Sequence, residues 1–113
     1  MIHVILKRRK HKIYYMEVNG HANFNEHGKD IVCAAVSAIT FGGINALTKC
    51  SGYPSDSFEI DIRNDIVKIK ISDLENKQIQ WTLETLYIQL LSIEESYSDY
   101  LKINMIGGAD YDV

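Results

Sequence analysis

A chain of 113 residues, 46% of them apolar and with a single proline, has material for one two-layer core and no room for a second domain. Its formal charge of -3 argues against a general nucleic-acid binder, which works through a basic face and a high pI. Residues 1–6 are too short and too early relative to their positive charges for a secretory signal, and no run approaches the roughly eighteen uninterrupted apolar residues of a membrane span, so a cytoplasmic protein is expected.

Along the chain, Ile2, Val4 and Leu6 alternate with His3, Ile5 and Lys7, and Tyr14, Met16 and Val18 alternate with Tyr15 and Glu17, the period of two half-buried strands. The run Lys7-Arg8-Arg9-Lys10-His11-Lys12 between them reads as a solvated hairpin turn in preference to a contact with RNA or an acidic surface. Gly20 ends the second strand, and residues 22–29, with Asn23, Asn25, His27 and Gly28 but little apolar spacing, read as a mobile loop. From Ile31 a helical face follows at three- and four-residue steps through Val32, Ala35, Val36, Ile39, Gly43, Ala46, Leu47 and Cys50, with Asp30 placed to cap it and Ser51-Gly52-Tyr53-Pro54 to stop it.

A second hairpin follows, Phe58, Ile60 and Ile62 against Val67, Ile69 and Ile71 with a turn at 63–65. Ser72 and Asp73 offer caps for a long helix whose Ile79, Leu83, Leu86, Leu90, Ile93 and Tyr97 form a core stripe that a partner helix in a dimer could share. Residues 101–106 are a candidate last strand, and Gly107-Gly108 release a polar tail within 106–113. The expected class is α+β: one domain over 1–113, two helices packed on one face of a mostly antiparallel sheet built from two hairpins.

The chemistry concentrates in Gly20-His21-Ala22 and, after the loop, Gly28-Lys29-Asp30-Ile31-Val32-Cys33-Ala34-Ala35-Val36-Ser37. This spacing puts a histidine at a strand end and a cysteine in the first turn of a helix, where the positive helix end and unsatisfied N–H groups favour thiolate over thiol. The imidazole would then pair with the thiolate, protonate a leaving amine and activate water for thioester hydrolysis, while first-turn amides, that of Cys33 included, would hold the oxyanion. Ala34 and Ala35 leave room for a peptide to reach the sulfur, and Ser37, one turn on, is a candidate substrate contact or an ordinary exposed serine. On one helix, Cys33 and Cys50 would lie about 25 Å apart, too far for a disulfide.

At these residues the chain resembles the ribosomal-processing cysteine proteases of bacteria, whose signature is a Gly-His-Ala segment and an Asp-Ile-Val-Cys-Ala run. The likeness extends through residues 37–45, the second hairpin and the long helix ending in Glu94-Glu95-Ser96-Tyr97. It implies Cys33 as nucleophile, His21 as general base and acid, and Asp30 as an orienter of His21 if it does more than cap. It also implies a homodimer that removes the N-terminal extension from the precursor of a large-subunit ribosomal protein, a peptide expected to be extended, apolar and aromatic-rich, with no cofactor and no metal. The loop after His21 would be a lid hinged at Gly20 and Gly28, or a permanently mobile connector.

Two rivals are weighed against this. A metal site at His21, His27 and Cys33 lacks the close pairing that begins a zinc site. A non-catalytic module could instead capture a ribosomal protein's extended strand on a sheet edge.

Overall fold

The computed structural model describes residues 1–20, 27–49 and 56–107. Its first strands, β1 (Ile2–Arg9) and β2 (Lys12–Asn19), are joined through Lys10 and His11, both at positive φ (49° and 72°), a tight turn whose twist suits antiparallel partners. The second hairpin, β3 (Phe58–Arg63) and β4 (Ile66–Ile71), repeats the device at Asn64 and Asp65 (49° and 67°). Helix α1 (His27–Lys49) links the hairpins, and α2 (Lys77–Ser96) leads into β5 (Leu101–Ile106). The five strands lie in the order β3-β4-β2-β1-β5, antiparallel except for β5, which runs parallel to β1. Both helices pack on one face, over a core that includes Val4, Leu6, Met16, Ile69 and Leu101 from the sheet.

The alternation expected in β2 fails at one place. Lys7 faces Tyr15 but Arg8 faces Ile13, so Tyr14 is an extra, bulged residue, and the buried position falls to Ile13 instead of Tyr14. A bulge exposes backbone groups that the ladder no longer pairs, and α2 supplies the substitute. The Ile13 amide donates to Gln80 Oε1 at 2.8 Å, and Gln80 Nε2 donates to the Ile13 carbonyl at 2.8 Å, the carboxamide acting as a short length of strand. One turn later Glu84 accepts a paired contact from the Arg8 guanidinium, including Nη2 to Oε1 at 2.9 Å. That hydrogen bond, partly offset by burial, pushes the Arg8 pKa above its usual value.

Other boundaries shift too. α2 is capped by Asn76, whose side chain accepts from the Ile79 amide at 3.0 Å, so the caps expected at Ser72 and Asp73 are displaced. Those two residues serve the approach to the helix: both their amides donate to the Ser57 carbonyl, and Asp73 Oδ1 accepts from the amide of Glu75. α1 begins at His27, four residues before the expected start, so Asp30 is a helical residue and not its cap. Its buried stripe is Val32, Val36, Thr40, Gly43, Ile44 and Leu47, turned towards Thr40 and Ile44 relative to the apolar spacing. Gly43 is where the helices touch: a Cβ there would lie 2.4 Å from a Leu86 methyl.

By length and composition Ile31–Lys49 could cross a membrane, contrary to the expectation that no segment comes near. In the fold this is the core helix, its buried stripe packed on the sheet and on α2.

Candidate active site

Along α1 a ladder of four-residue steps, Cys33, Ser37 and Phe41, flanks the buried stripe and looks onto the end of the sheet. Residues one helical turn apart share a face, so the fold that buries Val32 and Val36 leaves Cys33 half-buried at the margin of the core. The thiol is free. From Cys33 to Lys49 the helix runs unbroken for roughly 24 Å, and Cys50 lies outside the described residues.

Cys33 opens into a pocket of about 170 Å³ between α1, the ends of β1 and β2, and the second hairpin. Ser37 and Phe41 line it, as do Asn19 and Gly20 from the end of β2. Ile62 and Asp65 close the far side. The rim is apolar and accessible: Phe41 is 42% and Ile62 52% exposed. An apolar cleft with a few polar groups beside a thiol is suited to holding an acyl donor, such as a peptide bond, against sulfur.

Gly20 earns its place by backbone geometry. Its φ is 95°, and a Cβ would sit 2.3 Å from the carbonyl oxygen of Met1, which no side chain can satisfy. The hinge expected at Gly20 is therefore a tightly packed corner at the edge of the pocket.

Two expectations change with the helix start. Cys33 is the seventh residue of α1 and stands in its second turn, not its first. The influence of the helix end fades beyond the first turn, and an amide so far inside is committed to the carbonyl four residues back, so neither thiolate stabilisation nor an oxyanion contact can be assigned to the Cys33 amide. Gly28, expected as the second hinge in a loop, is a helical residue.

Of the remaining expected site residues, Ala34 is exposed beside Cys33 and Ser37 lines the pocket. His21 and residues 22–26 of the expected lid between His21 and Asp30 lie outside the described residues, as does the Asp30 side chain, while the rest of that segment, 27–29, is helical. Phe41 also lines the pocket, and its four-residue spacing from Cys33 and Ser37 is the sequence signal that marks it. Ile62 and Asp65 carry no local signal, since only the packing of the second hairpin brings them to the pocket.

The family model for the cysteine protease Prp matches residues 1–102. The ribosomal processing cysteine protease Prp of Bacillus subtilis is 36% identical over 110 residues, covering 91% of this chain and 96% of that protein. Its namesake from Staphylococcus aureus strain Mu50 is 33% identical over 93 residues, 82% and 87% of the two chains. Among solved structures, the S. aureus Prp protease in complex with a substrate peptide superposes with a TM-score of 0.82 at 31% identity, covering 93% of this chain and 99% of that one. The same protease with a covalently linked product peptide gives 0.77 at 30% identity, with the same coverage. Sequence, fold and a half-buried thiol at an apolar cleft converge, and the chain belongs to the Prp family of cysteine proteases.

Proposed function

We propose that Cys33 and His21 form the catalytic pair of this protease and that its substrate is the precursor of a large-subunit ribosomal protein, cut behind an N-terminal extension. The observation that supports the pairing is that Cys33 and Gly20 line one pocket, and His21 is the next residue after Gly20 in the chain. A ribosomal-protein substrate is supported by the relatives' names as ribosomal processing proteases and by the substrate-peptide complex of the S. aureus enzyme.

In this reading, His21 takes the Cys33 proton and the sulfur attacks the scissile carbonyl, forming a C–S bond. The tetrahedral intermediate collapses as the imidazolium gives its proton to the departing amine, leaving a thioester on Cys33. The imidazole then removes a proton from water, which attacks the thioester carbonyl, and the sulfur leaves with the peptide acid released. Because Cys33 stands past the helix tip, activation of the sulfur rests mainly on His21, with Asp30 in an orienting role. Oxyanion donors belong to the first turn of α1, where helix amides lack intrahelical partners. The apolar rim at Phe41 and Ile62 suits an apolar, aromatic-rich peptide, with Ser37 as a contact. The enzyme works in the cytoplasm as a homodimer, for which the exposed Trp81 (73%) and Ile88 (56%) of α2 offer apolar surface.

The test is digestion of a ribosomal-protein precursor carrying its extension, read by mass. The unmodified chain is expected to release the extension, with the rate falling on the order of 10³-fold or more in Cys33→Ala and 10²-fold or more in His21→Ala. Cleavage that survives Cys33→Ala would refute the assignment, and binding without cleavage by the unmodified chain would favour a non-catalytic module.

A further inference from the structure

The peptidase reading leaves the basic run at the first hairpin without a role, and the fold sends its charges in two directions. Arg8 faces the helices and is held by Glu84, while Lys12 lies 3.7 Å from Glu75. Lys7 and Arg9 stand on the opposite face of β1. There the Lys7 ammonium lies 4.7 Å from the centre of the Tyr15 ring and the Arg9 guanidinium 4.5 Å from that of Tyr14. The bulge is what makes this possible, because strict alternation would send consecutive tyrosines to opposite faces.

The strand register shows that this face is basic as a whole. Lysines and arginines on strand positions facing away from the helices outnumber the acids Glu17, Glu59 and Asp61, in a chain whose formal charge is -3. Net charge therefore conceals a segregation. The acids are also local: Lys68 lies across from Glu17 and Asp61, and Lys70 from Glu59, so those two lysines are matched within the sheet. Of the other cations on this face, Arg63 is paired with Asp61 and Lys102 lies at the far end of the β1–β5 pair, whereas Lys7, Arg9 and Lys10 gather at the first hairpin. There Lys7 is half-buried and Arg9 and Lys10 are exposed around two half-buried tyrosine rings, with the Tyr15 hydroxyl donating to Glu17.

Cations spaced along a strand hold a phosphate backbone, and aromatic faces between them give unpaired bases something to stack on; an acidic peptide would use only the first of these. We propose that this end of the open sheet face binds single-stranded RNA, with phosphates on Lys7, Arg9 and Lys10 and bases against Tyr14 and Tyr15. The surface is separate from the Cys33 pocket, which opens on the helical side.

The experiment is fluorescence anisotropy of the full chain with a labelled oligouridine of about twelve nucleotides across a salt series, enough to span one such surface. The double variant Lys7→Glu/Arg9→Glu is expected to bind at least about tenfold more weakly, with the slope of log K against log salt reduced by roughly 1.4, two phosphate contacts' worth for a single strand. Tyr14→Ala should weaken binding severalfold and leave the slope unchanged. Arg63→Glu, on the same face but at the other hairpin, should change little, and precursor cleavage should persist in all three variants. Should the reversed pair fold poorly, Lys7→Gln/Arg9→Gln carries the same expectation at smaller size. No binding at about 50 mM salt, equal loss in Arg63→Glu, or displacement of the RNA by polyglutamate at matched charge would overturn the proposal, the last pointing to an acidic protein instead.

Discussion

Gly20→Ala is expected to inactivate the protease while leaving most of the fold standing. The added Cβ would be placed 2.3 Å from the Met1 carbonyl oxygen, at a φ of 95° that side-chain-bearing residues rarely adopt. Neither neighbour is a flexible side-chain tip that could swing aside, so the backbone at the end of β2 must move or the start of β1 must give way. Strain of this kind costs on the order of 1–3 kcal/mol. The functional effect should be larger than the thermal one, because Gly20 lines the pocket and precedes His21 directly. A displacement of about 1 Å at a catalytic group is enough to lower turnover on the order of 10²-fold. Steady-state cleavage beside a thermal melt separates the two effects. Wild-type kcat/KM in Gly20→Ala would show that this corner does not position the site.

The largest loss of stability is expected from Gln80→Leu. Gln80 is buried and satisfies both the amide and the carbonyl of Ile13 at the β2 bulge. Leucine keeps the apolar bulk and leaves two buried backbone groups unpaired, each worth about 1–3 kcal/mol. A total of about 3 kcal/mol corresponds to a fall in Tm of roughly 10 °C or more for a domain of this size. Gln80→Glu should fall in between, since a carboxylate still accepts from the Ile13 amide but repels its carbonyl. Equal melting of wild type and Gln80→Leu would mean that the bulge is satisfied by some other group.

How far the sequence reveals this architecture depends on which interaction decides each element. The hairpins are legible because tight turns between alternating runs are a local matter, as at Asn64-Asp65. Residues 27–30 are not, because a solvent-facing helical turn needs no apolar spacing, and the expected start at Ile31 moved Cys33 a full turn closer to the helix end than it stands. The bulge at Tyr14 is hidden for a different reason: Ile13 and Tyr14 are both acceptable core residues, and the choice is made by Gln80, 67 positions away in the chain. Within the site, Cys33 and Ser37 are legible from the motif and its helical spacing. Asp65 and Ile62 are not, since a tertiary arrangement alone brings the second hairpin to the thiol.

The proposed action of His21 on Cys33 is tested most directly by intact-mass spectrometry after mixing the protein with a substrate-like peptide ending in a chloromethyl ketone, with peptide mapping of the adduct. One equivalent of label is expected, on Cys33 and not Cys50, with the labelling rate falling on the order of 10²-fold in His21→Ala. Equal labelling rates with and without the imidazole, or label carried by Cys50, would contradict it.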